Sequence, residues 1–214
     1  ENDTKFPAYT TLNTGAVDFD IPEDLGFDPE AVKCQKHLTC AYEKMGGVAC
    51  HTCTPYFIGH VPMKGEHVAW GESSAIAFVN SVLGARTNRE GGPSALAAAV
   101  TGRVPAYGYH LDENRKGNFI INVETELSDV SDFGSLGYWV GQRVESGVPV
   151  FTGIPSDVNM DQLKMLGAAL AASGAVALYH IVGVTPEAPT LETAMGGNEP
   201  IATYTFTSVE MKEA

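Results

Sequence analysis

Arg86, Thr87, Asn88 and Arg89 stand in four consecutive positions within the run Glu72 to Leu96, ESSAIAFVNSVLGARTNREGGPSAL. Two guanidinium forks beside a hydroxyl and an amide form a set for gripping the oxygens of a carboxylate or phosphate, because arginine meets such groups with two parallel N–H donors. The run continues through Gly91-Gly92-Pro93-Ser94 into an alanine-rich segment. Proline there suits the first position of a helix, whose opening turn presents unpaired N–H groups, a second feature that favours an anion. A solvated, well-capped loop uses the same residue types, and on this run alone both readings stand.

Around the loop lie groups able to move protons or support a ligand. Glu72 and His110 are the candidate acid–base residues, with His67 next in order, since imidazole titrates near neutrality. Glu66 and Glu72 read equally well as solvated charges at a helix start. Ser73, Ser74 and Asn80 are further candidates for substrate contact. The two serines also suit the orphan N–H groups of a first helical turn, and Asn80 reads also as a satisfied core amide. His37 and His180 fall in a helix and a predicted strand and read as structural.

The four cysteines, Cys34, Cys40, Cys50 and Cys53, all lie in the first quarter of the chain. On a helix Cys34 and Cys40 are roughly 240° apart and share no face, so they read as small helix residues, at least one of them directed into the core. Cys50-x-x-Cys53 is different in kind. No second such pair exists for a four-thiolate zinc site, and no thioredoxin-like βαβ unit surrounds it.

Helices and strands must hold these residues in place. Asp28-Pro29 marks a helix start, with apolar residues at helical spacing until Gly46-Gly47. A second helix is expected over 71–83, with Ala75, Phe78, Val79 and Val82 as its apolar stripe and Glu72, Ser73 and Asn80 off its centre. A third runs from Pro93 to Thr101 and stops at Gly102. Beyond them the pattern alternates: strand 119–123, helix 132–146, strand 148–152, helix 160–172, strand 175–182, and a last strand over 202–207. Short apolar strands separated by helices imply parallel pairing, hence a layered α/β domain with helices flanking a largely parallel sheet.

The chain has 214 residues and a formal net charge of -13. That size fits one domain or two small ones. Its 13 basic residues are scattered, which excludes a phosphate-backbone surface and a nucleic-acid partner. Attraction of a small anionic substrate must then be local, from Arg86 and Arg89. No stretch approaches the ~20 apolar residues of a membrane helix, and ENDTKFPAY has no secretory pattern, so a cytoplasmic protein with no membrane partner is expected.

Taken in order, CTPY (53–56), GEHVAWGESSA (65–75), NSVLGARTNREGGPSALAAA (80–99) and YGYHLDENR (107–115) closely resemble the catalytic part of aconitase X, a family of hydro-lyases related to aconitase. TTLN at 10–13 and GVTPEAPT at 183–190 extend the resemblance over most of the chain. It implies an aconitase-like catalytic domain that dehydrates a small hydroxylated acid. It also implies an iron–sulfur cluster, with Cys53 as a ligand and Cys50 as a second candidate, whose iron not bound by thiolate takes the leaving oxygen. A small subunit or swivelling domain is expected to supply a serine base. By the same resemblance residues 1–214 are a partial catalytic domain without its flanks or swivel domain, and the cluster would be incomplete in it. The form NREGGPSALAAA looks like the two-subunit members and points to mevalonate 5-phosphate as substrate. The alternatives are cis-3-hydroxy-L-proline, or a non-catalytic relative that only binds an anion or docks a subunit.

Overall fold

In a computed structural model residues 3–214 are described; Glu1 and Asn2, the start of the ENDTKFPAY run, lie outside them. The chain divides into two compact units, one formed by Glu1–Val61 with Gly91–Val104, the other by Pro62–Glu90 with Pro105–Ala214.

The first unit carries two helices, α1 (Pro29–Lys44) and α3 (Gly92–Thr101). Asp28 caps α1 by accepting the Ala31 N–H at 3.1 Å, with proline in the first turn as expected. Only Val32 and Thr39 of α1 are buried, and no residue of α3 is. Cys34 and Cys40 are both exposed, which corrects the expectation that one would enter the core. The core side of α1 is narrow, and neither thiol falls on it. Gly102 ends α3 in the left-handed conformation with its N–H on the Ala98 carbonyl at 2.8 Å.

The second unit holds the sheet and the main core. Its elements are α2 (Ser73–Ser81), β1 (Phe119–Val123), α4 (Val130–Val144), β2 (Pro149–Thr152), α5 (Met160–Gly174), β3 (His180–Ile181), α6 (Leu191–Met195), β4 (Ala202–Phe206) and α7 (Ser208–Glu213). The strands lie in the order β3-β2-β1-β4 and pair in parallel throughout, with Phe119 opposite both Pro149 and Ala202. This is the layered α/β architecture expected from the alternation of elements. Phe119, Ile121 and Val123 alternate onto the face that packs with Phe133, Leu136, Val140, Leu166 and Leu170 of α4 and α5. On the opposite face Val150 meets Ala188, Ala194 and Met195. The two long helices approach so closely that a Cβ on Gly141 would stand 2.1 Å from Ser173 Oγ, which only glycine avoids.

Two elements differ from expectation for the same reason. Helix α2 is buried on every side from Ala75 to Ser81 instead of along one stripe. The strand expected over 175–182 contributes only His180 and Ile181 to the sheet, although Val176 to Tyr179 are buried. There α2 takes the place of a neighbouring strand: Ser81 Oγ accepts the Tyr179 N–H at 2.9 Å, and Asn80 Nδ2 donates to the Ala177 carbonyl at 2.9 Å.

Candidate functional site

The arginine loop begins where α2 ends, and its shape is set from beneath by Asn80. That side chain is fully buried, and its amide donates to the carbonyls of Thr87 and Ala177, each at 2.9 Å. Its Oδ1 accepts from the Thr87 N–H at 3.0 Å and from Arg115 Nη1 at 3.1 Å. Thr87 is equally enclosed, its hydroxyl accepting the Trp70 N–H and donating to the Asn88 carbonyl. Both were expected among the substrate contacts; here every polar group of Asn80 is used inside the fold and Thr87 is fully buried, and the two hold the shape of the loop.

Arg115, only 2% exposed, is the other half of that foundation. Its Nε lies 3.0 Å from both carboxylate oxygens of Glu187, and Nη2 lies 2.9 Å from one of them. The remaining donors reach the carbonyls of Asn80 and Tyr109, both at 3.0 Å. A guanidinium is tolerable at this depth because its charge is paired and its donors are occupied. The reading of the sequence missed this residue. Arg115 stands in the run YGYHLDENR, but its partner is 72 positions away and no local spacing announces the pair.

Asn88 fastens the arginine loop to the run 107–110. Its Oδ1 accepts the Tyr109 N–H at 2.8 Å and its Nδ2 donates to the Tyr107 carbonyl at 3.1 Å. Between them Gly108, at φ +59, leaves room where a Cβ would fall 2.2 Å from Asn88 Oδ1. One amide hydrogen of Asn88 remains for a ligand. These residues border a cavity of about 470 Å³ lined by Arg89, Glu90, Tyr107, Tyr109 and Ser146 among others. Arg89 is exposed, and its guanidinium makes no ion pair or hydrogen bond among the described residues. Burial pushes the Tyr109 phenol above its ordinary pKa, against the pull of Arg115 and Arg89, so it stays protonated as a donor.

Arg86 has different work. Its Nη1 donates to the His110 carbonyl at 2.9 Å and its Nη2 pairs with Asp112, whose carboxyl it holds below the usual carboxylate range. Both arginines were expected to grip an anion; Arg86 is committed to the protein, and Arg89 remains available. His110 is 3% exposed, and its Nδ1 lies 2.9 Å from His67 Nδ1, while its Nε2 is buried without a partner. Burial holds the His110 imidazole below its ordinary pKa, and the neighbouring His67 acts in the same direction. Glu72 precedes α2 as its N-cap, half-buried, and accepts from Ser73 Oγ at 3.3 Å; Ser74 is half-buried in the same first turn. Of the expected site residues, Asn88 and Arg89 line the cavity; Glu72, Ser73, Ser74, Asn80, Arg86, Thr87 and His110 do not.

The cysteine loop belongs to the first unit. Cys53 is exposed, and Cys50, half-buried, donates its S–H to the Leu12 carbonyl at 3.3 Å. Among the described residues no three His, Cys, Asp or Glu side chains gather to hold a metal ion. Two thiols do not fit an iron–sulfur cluster, which needs more protein ligands than this loop offers.

The second unit is thus a parallel α/β domain with the exposed Arg89 beside a cavity and a stacked histidine pair, His67 and His110, outside the cavity lining. The model of the aconitase X first domain matches residues 1–113 and that of the second domain residues 117–214. The chain belongs to the aconitase X family. The phosphomevalonate dehydratase large subunit of Methanothermobacter thermautotrophicus is 55% identical over 83% of this chain and 44% of its own length. Cis-3-hydroxy-L-proline dehydratase of Pseudomonas aeruginosa is 39% identical over 96% of this chain and 36% of its own. The crystal structure of Thermococcus kodakaraensis aconitase X in its holo-form superposes with a TM-score of 0.85 at 42% identity, covering 99% of this chain and 51% of that one. The chain thus spans about half the length, or less, of these relatives. Among the described residues no helix is long and apolar enough to cross a membrane.

Proposed function

We propose that this chain is the anion-binding part of an aconitase X-type hydro-lyase that removes water from a small hydroxylated acid, with mevalonate 5-phosphate as the substrate. The observation that carries the reading is the unpaired Arg89 guanidinium on the wall of the cavity, beside the Tyr109 phenol. A phosphate offers oxygens to both, and the remaining amide hydrogen of Asn88 adds a third donor. The names and identities of the archaeal relatives support the phosphate over other acids. Because the Cys50–Cys53 loop alone does not fit an iron–sulfur cluster, the cluster expected for the family would take further ligands from other segments. The words "large subunit" in the relatives' names make a small subunit the expected partner.

Glu90 on the same cavity favours a second substrate, cis-3-hydroxy-L-proline, since a carboxylate beside Arg89 suits a zwitterion. Titrating the chain with each compound, followed by amide chemical shifts, separates the two. Mevalonate 5-phosphate should move the signals of Asn88, Arg89 and Tyr109, and Arg89→Lys should weaken binding about tenfold or more, since a point charge does not reproduce a bidentate grip. Binding of the phosphate that survives Arg89→Lys unchanged would sink the assignment. A response to the proline alone, lost in Glu90→Gln, would hand the site to the second reading.

A further inference from the structure

We propose that His67 and His110 form a two-imidazole proton relay between solvent and the buried Nε2 of His110, and that the relay serves the dehydration proposed above, on which this last clause rests. The two Nδ1 atoms are 2.9 Å apart, with ring centroids at 5.1 Å and planes inclined by 28°. A hydrogen bond between two like nitrogens needs one donor and one acceptor, so the rings hold complementary tautomers: one carries its proton on Nδ1, the other on Nε2. Stacking alone does not require that spacing of nitrogens.

The arrangement is held from two sides by one residue. Arg86 bridges the backbone beside His67, its N–H on the Glu66 carbonyl at 2.8 Å and its carbonyl accepting the Val68 N–H at 2.9 Å. Its guanidinium grips the His110 carbonyl and the Asp112 carboxylate. Arg86 is therefore the positioning residue of the pair, which accounts for an arginine that does not line the cavity.

Transfer balances at each atom. With His110 protonated on Nδ1 and His67 on Nε2, a proton taken up at His110 Nε2 drives the Nδ1 proton across to His67 Nδ1, and the His67 Nε2 proton leaves to water. The pair ends with the opposite tautomers and no net change in charge, ready to deliver a proton inward by the reverse route. Dehydration needs both motions, since a proton leaves carbon and one joins the departing hydroxyl. His110 Nε2 is a suitable inner terminus because it is buried and makes no hydrogen bond among the described residues, a costly state unless a ligand group meets it. His67, the outer member, is exposed. The charges facing His110 are His67, Arg86 and Arg115, which disfavour the imidazolium, and Glu90, which favours it; with burial foremost they keep the ring neutral near pH 7.

Long-range proton–nitrogen NMR spectra of the ¹⁵N-labelled chain read the tautomers without any need for turnover. One ring should show the Nδ1–H pattern and the other the Nε2–H pattern, or an average of the two states, with both rings shifting together as pH falls. His67→Gln, at an exposed position, should keep the amide spectrum of the fold while abolishing that joint response. Two Nε2–H rings that titrate independently, unchanged by the substitution, would overturn the relay. In the complete enzyme His67→Gln should lower kcat about tenfold with KM unchanged, and free imidazole in the buffer should restore part of it. Complementary tautomers with undiminished turnover in that variant would overturn the role in dehydration and leave the anion site standing.

Discussion

The arginine loop of the second unit and the cysteine loop of the first are built in opposite ways. Around Arg86–Glu90 nearly every polar group is spent inside the fold, through Asn80, Thr87, Asn88 and the buried Arg115–Glu187 pair, and one guanidinium is left over. Around Cys50–Cys53 the fastenings among the described residues are short-range or single contacts without a buried ion pair: the Cys50 thiol on the Leu12 carbonyl, the Cys50 N–H on the Val48 carbonyl at 2.9 Å, His51 against Phe19 and the Asn13 carbonyl, and the Thr52 hydroxyl accepting the Thr54 N–H at 3.1 Å. The first loop is pre-organised by its own unit, so its cost of ordering is met on folding and a ligand gains from that. The second presents the exposed Cys53 thiol, which suits a site whose remaining ligands come from other segments.

The largest test of this contrast is to remove the foundation of the rigid loop. Arg115→Met leaves the Glu187 carboxylate without its partner and takes a donor from Asn80 and another from the Tyr109 carbonyl. Breaking a buried pair in this manner costs about 3–5 kcal/mol, so the urea midpoint of the second unit should fall sharply. Adding Glu187→Leu should recover part of the loss, since an apolar pair of similar volume is often tolerated where a lone charge is not. A single variant with a midpoint near that of the original chain would show that the loop is held by something else.

Acidification should touch the same unit next. His180 is 1% exposed and donates from Nε2 to the Arg115 carbonyl at 2.7 Å, leaving Nδ1 as a buried acceptor with no partner. Charging the ring would place an N–H where nothing accepts it, and burial holds the His180 pKa below its ordinary value, as it does for His110. Both folded values are depressed, so the unfolded chain binds more protons once pH drops toward the ordinary histidine value of about 6.5. Stability is therefore full above that pH and is lost progressively as pH falls toward the folded values. Urea midpoints measured from pH 7.5 to 5 should decline, and amide exchange should place the loss in the second unit. A flat profile would remove these histidines from the account.

How much of this was legible depends on the distance over which each cause acts. Helix starts were readable because Asp28-Pro29 and the Gly102 stop work within one turn, and strand 119–123 because its alternation is local. The first long helix of the core begins at Val130, two residues before the expected start, because Asp129 caps it and Asp132 returns the bond, a box visible only once both ends are seen. The strand expected over 175–182 shrank because its hydrogen bonds go to side chains of α2 almost a hundred positions earlier. The site divided the same way. Residue types singled out Arg86 to Arg89 alike and did not distinguish Arg86, tied to His110 and Asp112, from Arg89 on the cavity. Arg115, buried to 2% exposure, could be found only through Glu187.

The smallest expected effect belongs to the cysteine loop, and it is a sharp test because the contrast predicts almost nothing there. Cys53 is exposed, so Cys53→Ser should change stability by no more than about 0.5 kcal/mol, the range of ordinary surface substitutions. Cys50→Ala should cost more, on the order of 1 kcal/mol, since it deletes a bond to the Leu12 carbonyl across 38 positions of chain. Thiol labelling should rank the cysteines in the same order, with the exposed Cys34, Cys40 and Cys53 reacting readily and the half-buried Cys50 lagging, because the reagent must reach the sulfur. If Cys53 were instead protected, and its removal cost several kcal/mol, the loop would be a built part of the first unit. The contrast with the arginine loop would then fail at the residue where a metal ligand is most expected.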